Sequence, residues 1–225
     1  MLETIHKETF DFLNRLKKNN NRDWFNDNKK EFKEIELEVK KVFGQLLEKL
    51  NKHDSIEKMK VFRIYRDVRF SKNKLPYKTH LGASFSRTKP YLRGGYYLQI
   101  QPNNQSFIAT GFWEPNKDDL LRIRREFQQD DQEIREIINN KKFKSVWGDL
   151  VGEELKTAPR NFDKEHKAID LIRKKQFIFT KNFSDKEVFS PDFINNVDEA
   201  FISIRPFFDY MSDVLTTDLN GVSII

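Results

Sequence analysis

Between Phe62 and His80 the chain runs FRIYRDVRFSKNKLPYKTH, setting Arg63, Arg66, Arg69, Lys72, Lys74 and Lys78 against one acid, Asp67. If 62–70 is extended, the two-residue period of a strand places Phe62, Ile64, Arg66, Val68 and Phe70 on one face. Arg63, Tyr65, Asp67 and Arg69 then share the other. Asp67 stands between two arginines of its own side and braces both guanidinium groups. Each guanidinium is a planar fork of donors that matches a carboxylate or phosphate in a bidentate way. Three arginines sharing one carboxylate leave donors over, and buried spare donors ask for an anion. Arg63 and Arg69 are the expected clamp, Asp67 orients them, and Arg66 lies beneath as a structural residue. Lys74 and Lys78 add charge, and Pro76 limits the freedom of the loop. Tyr77 and His80 bring a hydroxyl and an imidazole to the same ground. They are the candidates for proton transfer, His80 because its reference pKa lies near neutrality.

The plainer alternative is that such a row is a solvated sheet face, or an Arg–Asp–Arg ladder that specifies packing and nothing else. A third reading takes the basic strand with the aromatics Tyr96, Tyr97, Phe107, Phe112 and Trp113 as a platform for single-stranded nucleic acid. Against it, alternating aromatics on a hairpin usually face a helix layer. The run RIRRE at 122–126 reads first as a solvated helix face and second as an anion patch.

The elements that must position these residues follow from periodicity. Ile5, Phe10, Leu13 and Leu16 make a loose helical stripe over 4–18, broken by NNNR at 19–22. Trp24, Asn28, Phe32, Ile35, Val39, Val42, Phe43, Leu46 and Leu50 predict one long helix from Asp23 to about Leu50. From Lys60 to Trp113 the period becomes two, with Gly, Pro and Asn at the breaks, as in antiparallel strands. The clearest pair is GYYLQIQPNNQSFIATGFW, a hairpin turning at Pro102, Asn103 and Asn104, with Gly94-Gly95 as the turn before it. Helical spacing returns over Asp118–Asn139. A short helix at 168–174 and a strand at 176–183 follow, and then a helix opened by Ser190-Pro191 that runs through Leu215. Helices at both ends flank a central, mostly antiparallel sheet. The expectation is a single α+β domain over 1–225: N-terminal helices to 51, a strand-rich core at 60–113, and a mainly helical 114–225.

Composition narrows the function classes. The chain has 225 residues with 37% hydrophobic content, and 21 phenylalanines supply a large apolar area for a core. Forty-one Lys and Arg against 35 Asp and Glu leave +6, which favours anionic partners without establishing nucleic-acid binding. There is no cysteine, so no disulfide, zinc-thiolate site or cysteine nucleophile, in keeping with a cytoplasmic protein. The charged N-terminal residues do not resemble a signal peptide, and no stretch of about 20 apolar residues could span a bilayer. His6, His53, His80 and His166 lack metal-site spacing, and Asp118-Asp119 and Asp130-Asp131 fit helix starts, so no metal is expected. Nucleotide loops and the serine-hydrolase elbow are missing too, and no cofactor is expected.

The residues R63-x-x-R66-D67-x-R69-F70 and N73-K74-x-P76-Y77-K78 resemble the signature of a chiefly bacterial conserved family, domain of unknown function 2461. NNNRDWFNDNKKEF, GGYYLQIQP with GFWEP, and PRNFDKEHKAIDLIRKKQF extend the resemblance over nearly the whole chain. In the last of these Asn161 and Lys167 stand where the family pattern has Gly and Pro, a departure that bears on the shape of that loop. The resemblance implies one full-length domain and puts Arg63, Arg66, Asp67, Arg69, Asn73, Lys74, Pro76 and Tyr77 on the motif. Asn73 thereby joins the ligand-binding set. It brings no activity, substrate or cofactor. The leading expectation is a cationic pocket for a small phosphate- or carboxylate-bearing ligand, with acid–base chemistry at Tyr77 and His80. The alternatives are a nucleic-acid-binding protein, or a non-catalytic interaction protein whose Arg–Asp row is structural.

Overall fold

The structure, a computed structural model, describes residues 3–225. Helix α1 (Lys7–Lys18) buries Phe10, Phe12, Leu13 and Leu16 along one stripe. Asn21 caps α2 (Arg22–Asp27) by accepting from Trp24 N. The long helix expected from 23 to 50 is interrupted. Asn28, at φ −103° and ψ 12°, ends α2, and its Nδ2 donates to Trp24 O at 2.8 Å. An asparagine amide that takes a backbone carbonyl competes with helix continuation. Only then does α3 (Lys29–Leu50) begin, burying Phe32, Ile35, Val39, Val42, Phe43, Leu46 and Leu50.

Strand β1 (Ile56–Val61) starts earlier than the alternation predicts, in a stretch rich in Lys and Glu. β2 (Leu81–Arg87), β3 (Gly95–Ile100) and β4 (Ser106–Phe112) follow. The β3–β4 turn lies where Pro102, Asn103 and Asn104 predict it. Both asparagines have positive φ, 67° and 56°, the backbone a tight hairpin turn needs and asparagine tolerates. The Asp185 carboxylate accepts from the N–H groups of both.

The expected helix over 118–139 is two, α4 (Lys117–Gln129) and α5 (Gln132–Asn139), and α6 (Lys141–Trp147) follows. Asn116 caps α4 by accepting from Asp118 N and Asp119 N. After α7 (Ile169–Ile172) come β5 (Phe177–Phe183) and the single turn α8 (Asp185–Val188). The last expected helix also divides, into α9 (Phe193–Ser203) and α10 (Arg205–Thr216). Pro206 lies in the first turn of α10, where its missing N–H costs nothing. Pro191 precedes α9 rather than opening it.

The strands form one antiparallel sheet in the order β1-β2-β3-β4-β5, and the fold is α+β. The chain divides into two compact units, and β2 to β5 each run through both. The first unit holds the chain up to Phe85 with Tyr97–Ile108 and Asn182–Glu199. Its core joins Phe12, Phe25 and Phe32 ring to ring, and Phe183 meets Phe193 edge-on. The second holds Ser86–Tyr96, Ala109–Lys181 and Ala200–Ile225. There Tyr96 packs on Phe201 and Phe208, and Phe179 on Phe143 and Phe207. Gly94, at φ 84°, must be glycine, since a Cβ would lie 2.5 Å from the Phe208 ring. No helix among the described residues is long and apolar enough to cross a membrane.

Candidate functional site

The cationic segment is not the strand its alternation predicts. Phe62 N donates to Gly82 O, and the chain then turns back on itself. A lone antiparallel bridge joins Tyr65 to Tyr77, through Arg66 N to Pro76 O and Lys78 N to Ile64 O, both 2.8 Å. Between Arg66 and Pro76 the backbone is irregular. Asn20 fastens the returning limb: its Nδ2 donates to Tyr77 O at 3.0 Å and its Oδ1 accepts from Tyr77 N at 3.1 Å. The Tyr77 ring is buried and stacked on Phe25, centroids 4.0 Å apart and planes 18° apart. Burial raises its hydroxyl pKa, so at neutral pH it stays protonated. This geometry gives Tyr77 a packing role.

The Asp67 carboxylate clasps one arginine rather than two. It accepts from Arg69 Nε at 3.1 Å, from a terminal guanidinium nitrogen of Arg69 at 2.8 Å, and from Arg69 N at 3.2 Å. Those bonds hold its pKa down at about 2, with Arg63 adding a weaker attraction. Lys74 Nζ donates to Val68 O at 2.9 Å, and Asn73 Oδ1 accepts from Leu75 N at 3.0 Å. Arg69, Asn73 and Lys74 thus shape the loop that carries them.

A different subset converges at the base of the loop. Lys60 Nζ, at the end of β1, and Lys78 Nζ each lie 5.3 Å from the centroid of the Phe62 ring. Burial lowers the Lys78 pKa, and every charge acting on it is positive: Arg63, Arg66 and Lys60. Burial, then Lys78 and Arg66, bring His80 down to about 4, so its imidazole is neutral at physiological pH. Arg66 Nε is buried without a hydrogen-bond acceptor. His80, Gly82 and Ser84 share one face of β2 by parity, opposite the buried Leu81, Ala83 and Phe85. Next to them lies Tyr97, whose hydroxyl is 2.7 Å from where a Gly82 Cβ would stand and whose ring meets Phe62 and Phe107. Of the hairpin aromatics, Tyr96 therefore enters the core while Tyr97 and Phe107 are on the other side of the sheet.

Of the predicted site residues the structure gathers Arg63, Lys78 and His80, and with them Arg66, which was expected only as a structural residue beneath the site. Lys60, in β1, and Phe62, one residue past its end, join them unpredicted; their spacing of two along an extended chain was the available signal. Among the described residues no group of three His, Asp or Glu side chains could hold a metal ion. An open groove of about 890 Å³ lined by Asp11, Asn14, Arg15, Lys17, Lys18 and Asn103 gathers none of the motif residues. The run at 122–126 is not the solvated face expected. Arg122 donates to Thr217 O and Asp218 O, and Arg124 to Ile172 O and Lys174 O.

A family model described as "Conserved hypothetical protein (DUF2461)" matches residues 8–210. No curated protein and no solved structure matches the chain. Where the family pattern has Gly, Asn161 adopts φ 69°, a conformation that asparagine takes more readily than most residues, so the backbone there keeps a glycine-like turn. The Lys167 side chain reaches Asp131 at 3.0 Å. With 8–210 matched and the arginine motif inside that range, the chain belongs to the DUF2461 family of conserved hypothetical proteins.

Proposed function

We propose that the protein binds a small phosphate- or carboxylate-bearing ligand at the cluster of Lys60, Arg63, Arg66 and Lys78, with His80 beside it. One observation carries this reading: a buried guanidinium N–H of Arg66 has no acceptor, next to a lysine whose charged neighbours are all cations. A buried charged donor left unmet costs about 1–3 kcal/mol or more. An anion from solution offsets that cost and relieves the mutual repulsion of the four cations. Two forked guanidinium groups and two ammonium points suit the oxygens of a phosphate. His80, neutral and next to Lys78, adds a hydrogen-bonding imidazole to the site without a further charge. The chain's lack of cysteine suits a cytoplasmic setting.

Titration calorimetry with inorganic pyrophosphate and with succinate at low ionic strength tests the proposal. One of them binds with one-to-one stoichiometry. Arg66→Met and Lys78→Ala each weaken it about tenfold or more, as the loss of a charge-assisted hydrogen bond requires. Neither variant unfolds below the wild-type temperature without ligand. No heat and no thermal stabilisation with either anion would remove the proposal.

A further inference from the structure

Phe70 is 95% exposed, and it is the one phenylalanine of 21 in the exposed class; the rest are buried or half-buried. Singly exposed apolar residues are ordinary, but this one stands at the tip of a loop that polar side chains hold in shape. The Asp67–Arg69 clasp, the Lys74 bond to Val68 O and the Asn73 bond to Leu75 N are all made within the loop. None of them covers the ring. The Arg69 guanidinium lies 5.9 Å from the ring centroid, and Lys72 and Lys74 are exposed along the same turn. The only acid of the segment, Asp67, is occupied by Arg69.

We infer that Phe70 is a stacking platform for an unpaired base of single-stranded nucleic acid, with the exposed Lys72 and Lys74 meeting the flanking phosphates. An aromatic face within reach of cations on a braced loop is what a base and its phosphodiesters require together. A stacked duplex offers no free base face, so the partner is single-stranded. A membrane surface is a poorer fit. The exposed apolar area at the tip is one ring and the half-exposed Leu75, with Ser71 and Asn73 between them, far less than an interfacial helix buries. The loop springs from the anion site, since Arg66 N and Pro76 O close its neck. A strand stacked on Phe70 therefore continues toward Arg63, Arg66 and Lys78, and that continuation rests on the anion site proposed above.

The test is fluorescence anisotropy of labelled single-stranded oligonucleotides with the full chain at low salt, beside duplexes of the same sequence and vesicles rich in anionic lipid. Single strands bind, and Phe70→Ser weakens them roughly 5- to 100-fold while leaving the unfolding temperature unchanged, because the ring touches little. Phe70→Trp restores binding, and its emission is quenched by the oligonucleotide. Equal binding by wild type and Phe70→Ser, or Phe70-dependent binding to duplex or vesicles in preference to single strands, overturns the inference. If pyrophosphate binds in a Lys78-dependent way and no oligonucleotide does, the stacking inference fails and the anion site stands. If oligonucleotides need Phe70 but neither Arg66 nor Lys78, stacking stands and the continuation into the anion site fails.

Discussion

Arg87 in the second unit and Arg66 in the first are held in opposite ways. In the second unit Arg87 is fully buried, yet it donates to Arg93 O at 3.0 Å and Ser212 Oγ at 3.2 Å and lies 4.8 Å over the Phe208 ring. Arg122 and Arg124 hold backbone carbonyls, and Arg135 reaches Asp131, Asp170 and Lys167 O. Arg66 in the first unit has a buried Nε and no acceptor for it. Arg87 is buried whole and Arg66 at its Nε; what differs is the supply of protein oxygens. Where the fold provides acceptors, arginine is a structural cross-link. At Arg66, where it withholds one, the proposed anion would supply the missing oxygen.

Four substitutions break or sharpen that contrast. The largest effect is expected at Arg87→Leu, which removes the guanidinium bonds to Arg93 O and Ser212 Oγ and the contact with the Phe208 ring, and costs about 2–4 kcal/mol in denaturant unfolding. His80 comes next. Its folded pKa of about 4 lies below the unfolded value near 6.5, so the unfolded chain takes the proton first. The stability due to neutral His80 is whole above about pH 6.5 and falls as pH drops toward 4. His80→Asn removes that part of the slope, at most about 1 kcal/mol per pH unit after solvent screening, seen in melting curves from pH 7 to 4. The same linkage makes sulfate, whose charge is constant there, bind more tightly to wild type as pH falls, and not to His80→Asn. Arg66→Met follows, unchanged in stability or raised by up to about 1 kcal/mol, since it deletes an unmet donor. A clear loss of stability there would place Arg66 with the structural arginines. The smallest effect belongs to Asp67→Ala, an exposed clasp. Its unfolding temperature stays within error, while amide exchange at Arg69, whose N–H loses its acceptor, accelerates.

Much of the fold could be read from periodicity, because the sheet and its helices bury one face each. Ala83 and Phe85, or Tyr96, Leu98 and Ile100, alternate with half-exposed neighbours, and the α3 stripe is buried as its spacing predicts. The failures have local causes. Helix breaks at Asn28 and beside Pro206 depend on one side chain each, and β1 is too rich in Lys and Glu to show a face. The segment 62–70 alternates but finds no neighbouring strand beyond the Tyr65–Tyr77 bridge, so its alternation never becomes two faces. At the site, Arg63, Arg66, Lys78 and His80 could be listed from composition, but their gathering could not. The Asn20 clamp and the Phe25 stack act on Tyr77 from more than fifty residues away. Those contacts turn Tyr77 inward and leave Lys78 and His80 beside Arg66. The short Asp67–Arg69 clasp, for its part, withdraws Arg69 from the clamp that spacing suggested.

The most direct test of the anion site is to follow the arginine Nε–H resonances by NMR while titrating pyrophosphate at low ionic strength. The Arg66 signal should shift saturably and gain protection from exchange with water, and those of Arg87 and Arg124 should stay where they are. An Arg66 signal that does not respond, or that moves no more than theirs, would contradict the account.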